Sequence, residues 1–443
     1  MKWSVFDVFT DLHNRDEWVI WNTLTGGIIA LTKKEKAVIE CEMQNLTYGE
    51  LDNCPRTSKN RFLEDLARMR FIVNDDTDEK SEFLTQLNKE WENDDFLSLF
   101  VLTTTCCNFC CSYCYESSIN RQKKPITQYY VDRILSCVHS YKIEKKIRQV
   151  SVVLYGGEPT TSWDVVEHLL PQLRELFTEN VIQFHTDIVT NGYELTQEKI
   201  SFLEEFNWKK LQVTLDGTKM VHDKRRKLIN GDGTFDRIIS NLSHIITNNV
   251  LEKIDLRINY DRRNITDIPE LLRFLADNLG VDRLNISFGN IAQTIGNSGA
   301  VAYIAGNKVE NEKSAMAYLF LYKFAVREGF VLPKFFSADG MCISKARNTL
   351  IILPNGDLYR CLSMIGRQEH KIGSVFDQAI HDQPYFFPEL YDYCFDKECP
   401  FIPLCHTGCR FDALVEHGDI TSIDCKQNLY SSVNQALIQF YYP

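Results

Sequence analysis

Residues 96–115 read FLSLFVLTTTCCNFCCSYCY, an apolar run that ends in three threonines and a group of closely spaced cysteines. The apolar and β-branched residues of this run predict a strand over Phe96–Thr105. In a parallel sheet the chemistry gathers at the carboxyl ends of the strands, which is where this strand meets the cysteines. The stretch therefore predicts an α/β fold with a metal site at one edge of its sheet.

The chain after this stretch alternates between strand and helix patterns. Further strands are predicted at Val150–Tyr155, Phe184–Thr190, Leu211–Leu215, Ile254–Tyr260 and Leu284–Phe288. Amphipathic helices are predicted over residues 127–145, 163–179, 196–206, 235–248 and 267–279. This alternation predicts a parallel sheet in an incomplete (β/α)6 barrel of the TIM type, with the helices outside.

The first part of the chain follows a different pattern. It predicts strands over Trp3–Leu12, Trp18–Thr25 and Gly27–Leu31, helices from Thr32 to Met43 and over Lys59–Arg70, and a short strand at Phe71–Val73. This order is winged-helix-like. We therefore predict a module at 1–75, a linker at 76–95, the barrel at 96–291, a connecting helical region at 292–340 and a cysteine-rich domain at 341–443.

Composition narrows the classes of function. The 443 residues carry a formal charge of −11, which argues against a nucleic-acid partner because phosphate contacts need a basic face. The first residues do not resemble a secretory signal and no apolar run reaches the length of a bilayer span, so we expect a cytoplasmic protein without a membrane partner. Fifteen cysteines in a reducing compartment indicate metal binding rather than disulfides.

The first cysteine group has a spacing that suits an open iron–sulfur cluster. The pattern C-x3-C-x2-C joins Cys107, Cys111 and Cys114. Three thiolates on a four-iron cluster leave one iron open to a small molecule. With Tyr113 before the last cysteine, the pattern resembles the radical S-adenosylmethionine (SAM) superfamily, and this resemblance implies cleavage of SAM to a 5′-deoxyadenosyl radical. A structural zinc site on the same group of cysteines is the alternative.

The loop after the second predicted strand strengthens the resemblance. Gly156, Gly157, Glu158 and Pro159 are similar to the GGEP segment that binds the methionine amine of SAM in this superfamily. Glycines let a backbone approach a ligand closely, and Glu158 can accept hydrogen bonds from an ammonium group. Taken alone, the same four residues could form an ordinary turn between a strand and a helix.

Two further loops carry weaker signals. Thr190 and Thr214 lie near the ends of the third and fourth predicted strands, and they are candidates for hydroxyl contacts with the cofactor. Asp216, His222 and Asp223 resemble the peptide-modifying branch of the superfamily. Turn and helix-cap chemistry explains these three residues equally well, so we assign them no catalytic role.

The C-terminal cysteines resemble a SPASM extension, which binds two auxiliary four-iron clusters in radical enzymes that modify peptides. The resemblance assigns Cys342, Cys361 and Cys409 to one cluster, and Cys399, Cys405 and Cys425 to the other. The family places a fourth ligand of the second cluster where this chain has Asp396, and nearby Cys394 is the alternative. The first auxiliary cluster lacks an obvious fourth ligand, so an open iron there could bind a substrate thiolate. Interleaved cysteines also suit structural zinc.

The resemblance implies a radical oxidoreductase that matures a ribosomally made precursor peptide. Residues 1–75 resemble a module that binds the leader of such a peptide along a strand edge. The expected product is a crosslink, with a thioether from cysteine to carbon as the favoured kind. The implied cofactors are SAM and three [4Fe-4S] clusters, with a reductant such as flavodoxin or ferredoxin. The alternatives are a sulfatase-maturing peptidyl oxidase and, in another class, a zinc-stabilised binding protein.

Overall fold

The computed structural model describes residues 1–12, 15–45, 58–114, 116, 127–178, 183–291, 303–304, 307, 309, 311–332, 341–377, 380 and 384–442. They form two compact units, which we describe separately. The barrel unit comprises residues 93–332 and 343–385, and the terminal unit comprises mainly residues 1–92 and 386–443. Within the predicted connecting region at 292–340, the described residues are 303–304, 307, 309 and 311–332.

The N-terminal part of the terminal unit contains two small antiparallel sheets. Its strands are β1 (Lys2–Trp3), β2 (Asp7–Leu12), β3 (Glu17–Asn22), β4 (Ile28–Thr32) and β5 (Ile72–Val73). Strands β2, β3 and β4 form a meander, while β1 pairs with β5. Helices α1 (Lys33–Asn45) and α2 (Ser58–Arg68) follow the meander. At the start of α1, the Glu35 N–H donates to Thr32 Oγ1 at 3.1 Å and the Thr32 N–H donates to Glu35 Oε2 at 2.8 Å, which confirms the predicted capping box.

The segment predicted as a linker contains helix α3 (Glu79–Glu92). Phe83 of this helix is buried, and its ring lies 5.6 Å from that of Phe6 and 5.8 Å from that of Phe395. Aromatic burial on this scale is a large stabilising contribution. The segment therefore belongs to the core of the terminal unit rather than to a solvated connection.

The barrel unit is built on the parallel sheet that the sequence predicts. Its strands are β6 (Phe96–Leu102), β7 (Gln149–Tyr155), β8 (Gln183–Thr190), β9 (Trp208–Leu215), β10 (Ile254–Tyr260) and β11 (Leu284–Asn290). Each strand pairs in parallel with the next one in the chain. The predicted strands are confirmed, and the clearest differences are that β6 ends at Leu102 and β9 begins at Trp208.

Helices separate these strands, as the alternating pattern predicts. They are α4 (Gln128–Lys145), α5 (Trp163–Thr178), α6 (Gln197–Glu205), α7 (Lys219–Arg225), α8 (Phe235–Thr247), α9 (Ile268–Leu279) and α10 (Asn311–Arg327). Only the short helix α7 is absent from the prediction. Along β10, fully buried side chains alternate with half-buried ones, so one face of the sheet packs on the helices and the other carries polar groups.

Three strands from the predicted cysteine-rich domain belong to the barrel unit. Strand β12 (Thr349–Ile352) pairs in parallel with β6, and β13 (Asp357–Tyr359) and β14 (Gly373–Ser374) continue the sheet in antiparallel fashion. This pairing covers the edge of β6, whose backbone groups would otherwise lack ladder partners. The sequence did not predict it, because short strands in cysteine-rich segments give a weak periodic signal.

The C-terminal part of the terminal unit is helical. Its helices are α11 (Glu389–Asp396), α12 (Ile402–Cys405), α13 (Arg410–His417) and α14 (Gln427–Tyr441). Phe401 is buried between Trp21 and Tyr430, with ring centroids 6.3 and 5.7 Å apart. The two ends of the chain thus share one core. Among the described helices, none is long and apolar enough to cross a membrane.

Candidate functional site

The first cysteine group lies in the loop after β6, and the structure brings its three predicted ligands together. Burial raises the pKa of Cys107 to about 12, and the neighbouring Cys111 and Cys114 thiols add to this effect. Burial likewise raises the pKa of Cys111 and that of Cys114. The N–H of Phe109 donates to Cys107 Sγ at 3.3 Å. Such thiols ionise when a metal binds, because its positive charge stabilises the thiolate.

A second segment fixes the backbone of this cysteine loop. Phe109 and Leu228 form an antiparallel bridge. Two main-chain hydrogen bonds flank this bridge. The Cys110 N–H donates to the Lys227 carbonyl at 2.8 Å, and the Ile229 N–H donates to the Asn108 carbonyl at 3.0 Å. These bonds use main-chain groups, whereas the Cys110 side chain is exposed. The position of the loop therefore does not depend on the Cys110 thiol.

The GGEP loop at residues 156–159 follows β7 and packs on the cysteine loop. The Gly157 N–H donates to the Thr104 carbonyl at 2.9 Å, and the Glu158 N–H donates to the Cys106 carbonyl at 3.0 Å. A Cβ on Gly156 would lie 2.3 Å from the Thr104 oxygen, and a Cβ on Gly157 would lie 2.3 Å from the Cys106 oxygen. The sequence pattern predicts that these glycines let the backbone approach a ligand closely. In the structure they allow the close approach of two backbones.

Glu158 is the buried centre of the GGEP loop. Its carboxylate accepts hydrogen bonds from the Thr160 N–H and hydroxyl at 3.1 and 2.6 Å, and from the Thr190 hydroxyl and Asn191 N–H at 2.6 Å each. Pro159 begins the turn that returns Thr160 to this carboxylate. Burial raises the pKa of Glu158, and these donors oppose that shift. The predicted residues Glu158 and Thr190 are therefore bonded to each other, and the donors of the protein meet mainly Oε1, while Oε2 accepts one hydrogen bond from Asn191.

Asn191 connects Glu158 to the cysteine loop, and the sequence reasoning did not select it. Its side-chain amide donates to Asn108 Oδ1 at 2.7 Å and lies 3.9 Å from Cys107 Sγ. Contacts of this kind orient metal ligands and tune them. The available signal was the polar Thr-Asn-Gly run at the end of β8, which only the sheet order places beside the cysteines.

Arg257 on β10 is a second residue that sequence reasoning missed. The strand register places it opposite Thr214, the half-buried threonine predicted to contact the cofactor. Arg257 donates to Asn259 Oδ1 at 3.3 Å, and within the described residues it forms no ion pair. Gly289 leaves room for it, because a Cβ there would lie 2.1 Å from Arg257 Nη2. Burial lowers the pKa of Arg257. A guanidinium on this polar face suits an anionic ligand.

Comparison with known proteins identifies the part of the chain that carries these loops. Residues 101–275, which include the cysteine loop, the GGEP loop and Arg257, match the radical SAM superfamily. This part of the chain is a radical SAM domain. The match confirms the predicted superfamily for this part of the chain, and that superfamily implies SAM and a [4Fe-4S] cluster.

Curated relatives share this domain. The cysteine-type anaerobic sulfatase-maturating enzyme of Clostridium novyi (strain NT) is 29% identical over 139 residues, which are 31% of this chain and 36% of that protein. The GTP 3′,8-cyclase of Clostridium perfringens (strain 13 / Type A) is 26% identical over 311 residues, which are 65% of this chain and 90% of that protein. The chain thus spans about a third of the sulfatase-maturating relative, and the two names point to different substrates.

Two solved structures share the fold. The structure of anSMEcpe with bound AdoMet and Kp18Cys peptide has a TM-score of 0.61 at 16% identity, covering 78% of this chain and 98% of that one. The structure of Streptococcus suis SuiB bound to S-adenosylmethionine has a TM-score of 0.52 at 16% identity, covering 96% of this chain and 99% of that one. The likeness to SuiB extends well beyond the radical SAM domain.

The terminal unit gathers a second set of cysteines. Burial raises the pKa of Cys394 to about 12, and the thiols of Cys399, Cys405 and Cys425 raise it further. The Cys399 N–H also donates to the Cys394 carbonyl at 3.1 Å. Buried Arg410 donates to the Ile420 and Ser422 carbonyls at 2.9 Å each, which ties its own helix to the segment before Cys425. Four thiols from separate stretches of chain therefore share one neighbourhood.

This arrangement favours Cys394 over Asp396 as the fourth member of the set. The two residues lie on helix α11, and positions two apart on a helix point about 200° away from each other. Cys394 is half-buried among the other thiols. Asp396 is exposed, and its charge is one of those that raise the pKa of Lys80. The helix thus presents Asp396 on a different side from Cys394, and we prefer Cys394 as the fourth ligand; the assignment of either residue stays a prediction.

Fewer contacts place the predicted ligands of the other auxiliary cluster, Cys342, Cys361 and Cys409. Cys342 and Cys409 lie in the terminal unit, where Cys342 contributes to raising the pKa of Cys409 after the larger effect of burial. Cys361 lies in the barrel unit, where it contributes to raising the pKa of Tyr385 after the larger effect of burial. The joint ligation of one cluster by these three cysteines stays a prediction.

The residues after β9 make the turn and helix-cap contacts that the sequence analysis offered as an alternative to a catalytic role. Asp223 Oδ1 accepts hydrogen bonds from the Thr234 and Phe235 N–H groups at 2.7 and 2.9 Å, at the start of α8. His222 is buried, with Nε2 3.1 Å from Thr234 Oγ1, and burial holds its pKa well below the usual range. These contacts give both residues a structural role.

The thiol sets suit iron–sulfur clusters, because soft thiolates prefer such metals. Cysteine thiolates also bind structural zinc, which takes four ligands. Across the described parts of the chain, no group of three or more His, Cys, Asp or Glu side chains is placed to hold a metal ion.

Proposed function

We propose that this protein uses SAM to crosslink a ribosomally made precursor peptide, with thioethers from cysteine to carbon as the linkage. The observation that carries the proposal is the thiol set of Cys394, Cys399, Cys405 and Cys425, present in addition to the radical SAM thiols. Cleavage of SAM consumes one electron, whereas closing a crosslink on a carbon radical releases one. A second cluster provides an acceptor for that electron.

The proposed cofactors are SAM and three [4Fe-4S] clusters. In this proposal Cys107, Cys111 and Cys114 hold the radical SAM cluster. Cys394, Cys399, Cys405 and Cys425 hold one auxiliary cluster, and Cys342, Cys361 and Cys409 hold the other. When bound to the first set, a cluster supplies the electron that cleaves SAM and so generates the radical that takes hydrogen from the peptide. Arg257 and Thr214 lie on the polar sheet face, where the guanidinium would pair with the carboxylate of SAM. An external reductant such as flavodoxin or ferredoxin supplies the electron.

The terminal unit offers a groove for the leader of the peptide. It measures about 480 Å³ and lies between α1 and α2. Its lining consists of Lys34, Glu35, Val38, Ile39, Glu42, Phe62 and Leu63. Val38 and Phe62 are 38% and 40% exposed, and β4 pairs with only one strand of its sheet among the described residues. An extended peptide can add to such an edge and place apolar side chains in the groove.

The proposed reaction makes a defined mass change. Each linkage replaces one C–H and one S–H bond with a C–S bond. The hydrogen atom would leave in 5′-deoxyadenosine and the thiol proton would go to solvent. An auxiliary cluster, if held by Cys394, Cys399, Cys405 and Cys425, would accept the surplus electron. We expect a peptide encoded beside this gene to lose the mass of two hydrogens per linkage when incubated with enzyme, reductant and SAM. Mass spectrometry after alkylation tests this, because a thioether sulfur no longer reacts.

Three outcomes would contradict the proposed thioether crosslinking. A peptide that loses hydrogen without a crosslink indicates a peptidyl oxidase of the sulfatase-maturing kind, and a modified peptide without cysteine rules out the thioether. A colourless, zinc-loaded protein that cleaves no SAM indicates the zinc-stabilised binding protein. Deletion of residues 1–75 is a poor test, because it removes Phe6 and Trp21 from the core of the terminal unit.

Point variants in the groove test leader binding. We expect Phe62→Glu to weaken peptide binding at least about tenfold, since a buried anchor side chain of an interface is typically worth more than 1.4 kcal/mol. Cleavage of SAM without peptide should be unchanged. Met69→Glu is the matched control, because Met69 is 37% exposed and does not line the groove. Fluorescence anisotropy of a labelled peptide measures both, and equal weakening by the two variants would contradict the assignment.

A further inference from the structure

Arg226 is a buried cation beside the cysteine loop, and nothing in the proposed function depends on it. The residue follows α7 and is 9% exposed. Its N–H donates to the His222 carbonyl at 2.7 Å, and its own carbonyl accepts from Thr234 Oγ1 at 2.6 Å. The residues directly after it pair with the cysteine loop through the bridge at Leu228. Its backbone is therefore fixed on both sides.

The guanidinium of Arg226 contacts two residues of the cysteine loop, Tyr113 and Phe109. Its Nη1 donates to the Tyr113 hydroxyl at 2.7 Å, and its central carbon lies 5.7 Å from the centre of the Phe109 ring. Phe109 and Tyr113 flank Cys111 in the chain. These two contacts hold the guanidinium against the part of the loop that carries the central thiol of the triplet.

The neighbouring Arg225 has the carboxylate partners that Arg226 lacks. Arg225 forms ion pairs with Asp216 at 3.1 Å and with Asp261 at 2.7 Å. Within the described residues Arg226 forms no ion pair, and its Nε is buried without a hydrogen-bond partner. Asp216 acts on it through space while bonded to Arg225. Burying a charge costs several kcal/mol unless an opposite charge compensates for it. Arg226 therefore presents a positive charge without a direct carboxylate partner on the side of the cysteine loop.

We propose that Arg226 is the fixed counter-charge of the cluster on Cys107, Cys111 and Cys114, and that it raises the reduction potential of that cluster. Three thiolates outweigh the positive charge of a four-iron core, and reduction adds a further negative charge. Net charge and hydrogen bonding set the potentials of such clusters, so a buried cation favours the reduced form. Arg226 is thus a positioning and tuning residue. This inference rests on the radical SAM domain and is independent of the peptide substrate.

Four variants separate the charge of Arg226 from its shape. Arg226→Gln and Arg226→Met remove the charge, Arg226→Lys retains it, and Tyr113→Phe removes the hydroxyl partner while leaving the charge. The potential of the cluster is measured by an anaerobic redox titration followed by electron paramagnetic resonance, without peptide. The signal of this cluster is recognised by its change when SAM is added, which separates it from auxiliary clusters.

We expect the neutral variants to have at least a tenfold lower ratio of reduced to oxidised cluster at a fixed potential, a shift of 59 mV per tenfold for one electron. Arg226→Lys and Tyr113→Phe should stay closer to the unaltered protein than to Arg226→Met. An intact cluster with an unchanged potential in Arg226→Met would overturn the proposal. If the neutral variants assemble no cluster, retention of iron in Arg226→Lys supports the role of charge, and loss of iron there overturns it. No peptide enters these measurements, so they are unaffected if the proposed function fails.

Discussion

Replacing Cys111 by alanine should lower cleavage of SAM by more than about 100-fold, because even the outer partners of metal ligands are typically worth 10- to 100-fold. Cys111 is buried within the thiol triplet, and no other cysteine of its loop occupies that position in the C-x3-C-x2-C pattern. The measurement is the amount of 5′-deoxyadenosine formed with dithionite by anaerobically reconstituted protein. Iron and sulfide contents should fall as well.

The cysteine loop contains its own matched control. Cys110→Ala should cleave SAM at close to the rate of the unaltered protein, because the Cys110 thiol is exposed and only its backbone N–H contacts Lys227. Cys106→Ala is a second control, because the contact of Cys106 with Glu158 uses its carbonyl. If Cys110→Ala lost activity while Cys111→Ala kept it, the ligand set would have to be redrawn around the C-x2-C pair of Cys107 and Cys110.

Replacing Cys394 by alanine should remove the second auxiliary cluster, with a loss of about four irons per chain. Cleavage of SAM should continue, since the radical SAM thiols lie in a separate loop, but peptide crosslinking should stop. The physical reason is the common neighbourhood of Cys394, Cys399, Cys405 and Cys425. Iron analysis, spin quantitation and mass spectrometry of the peptide measure the three outcomes.

Asp396→Ala is the control for that experiment, and it also tests the competing assignment of Asp396 as the fourth ligand. Asp396 is exposed, so its replacement should leave the iron content and the crosslinking rate unchanged. The reverse result, with iron lost from Asp396→Ala and kept in Cys394→Ala, would restore the ligand position that family register suggests. Because both positions lie on helix α11, a general disturbance of that helix would affect the two variants alike.

The sequence by itself determined the order of strands and helices in the barrel, and it predicted the first metal site. The strand ending at Leu102 and the strand over Ile254–Tyr260 carry apolar and β-branched runs bounded by polar loops, and such local patterns do not depend on distant contacts. The C-x3-C-x2-C spacing is also local, since three ligands within one loop reach one cluster without help from the rest of the chain. The family resemblance followed from these residues.

Only the tertiary structure decided which polar groups surround that site. Glu158 meets Thr190 and Asn191 because β7 and β8 are neighbours in the sheet, and Arg257 faces Thr214 because of the register between β9 and β10. These contacts join residues far apart in the chain, so spacing could not reveal them. The choice of Cys394 over Asp396 depends on the direction in which α11 presents its side chains. Spacing along the sequence gives only how many positions separate two residues. In a helix, residues two positions apart lie on different faces.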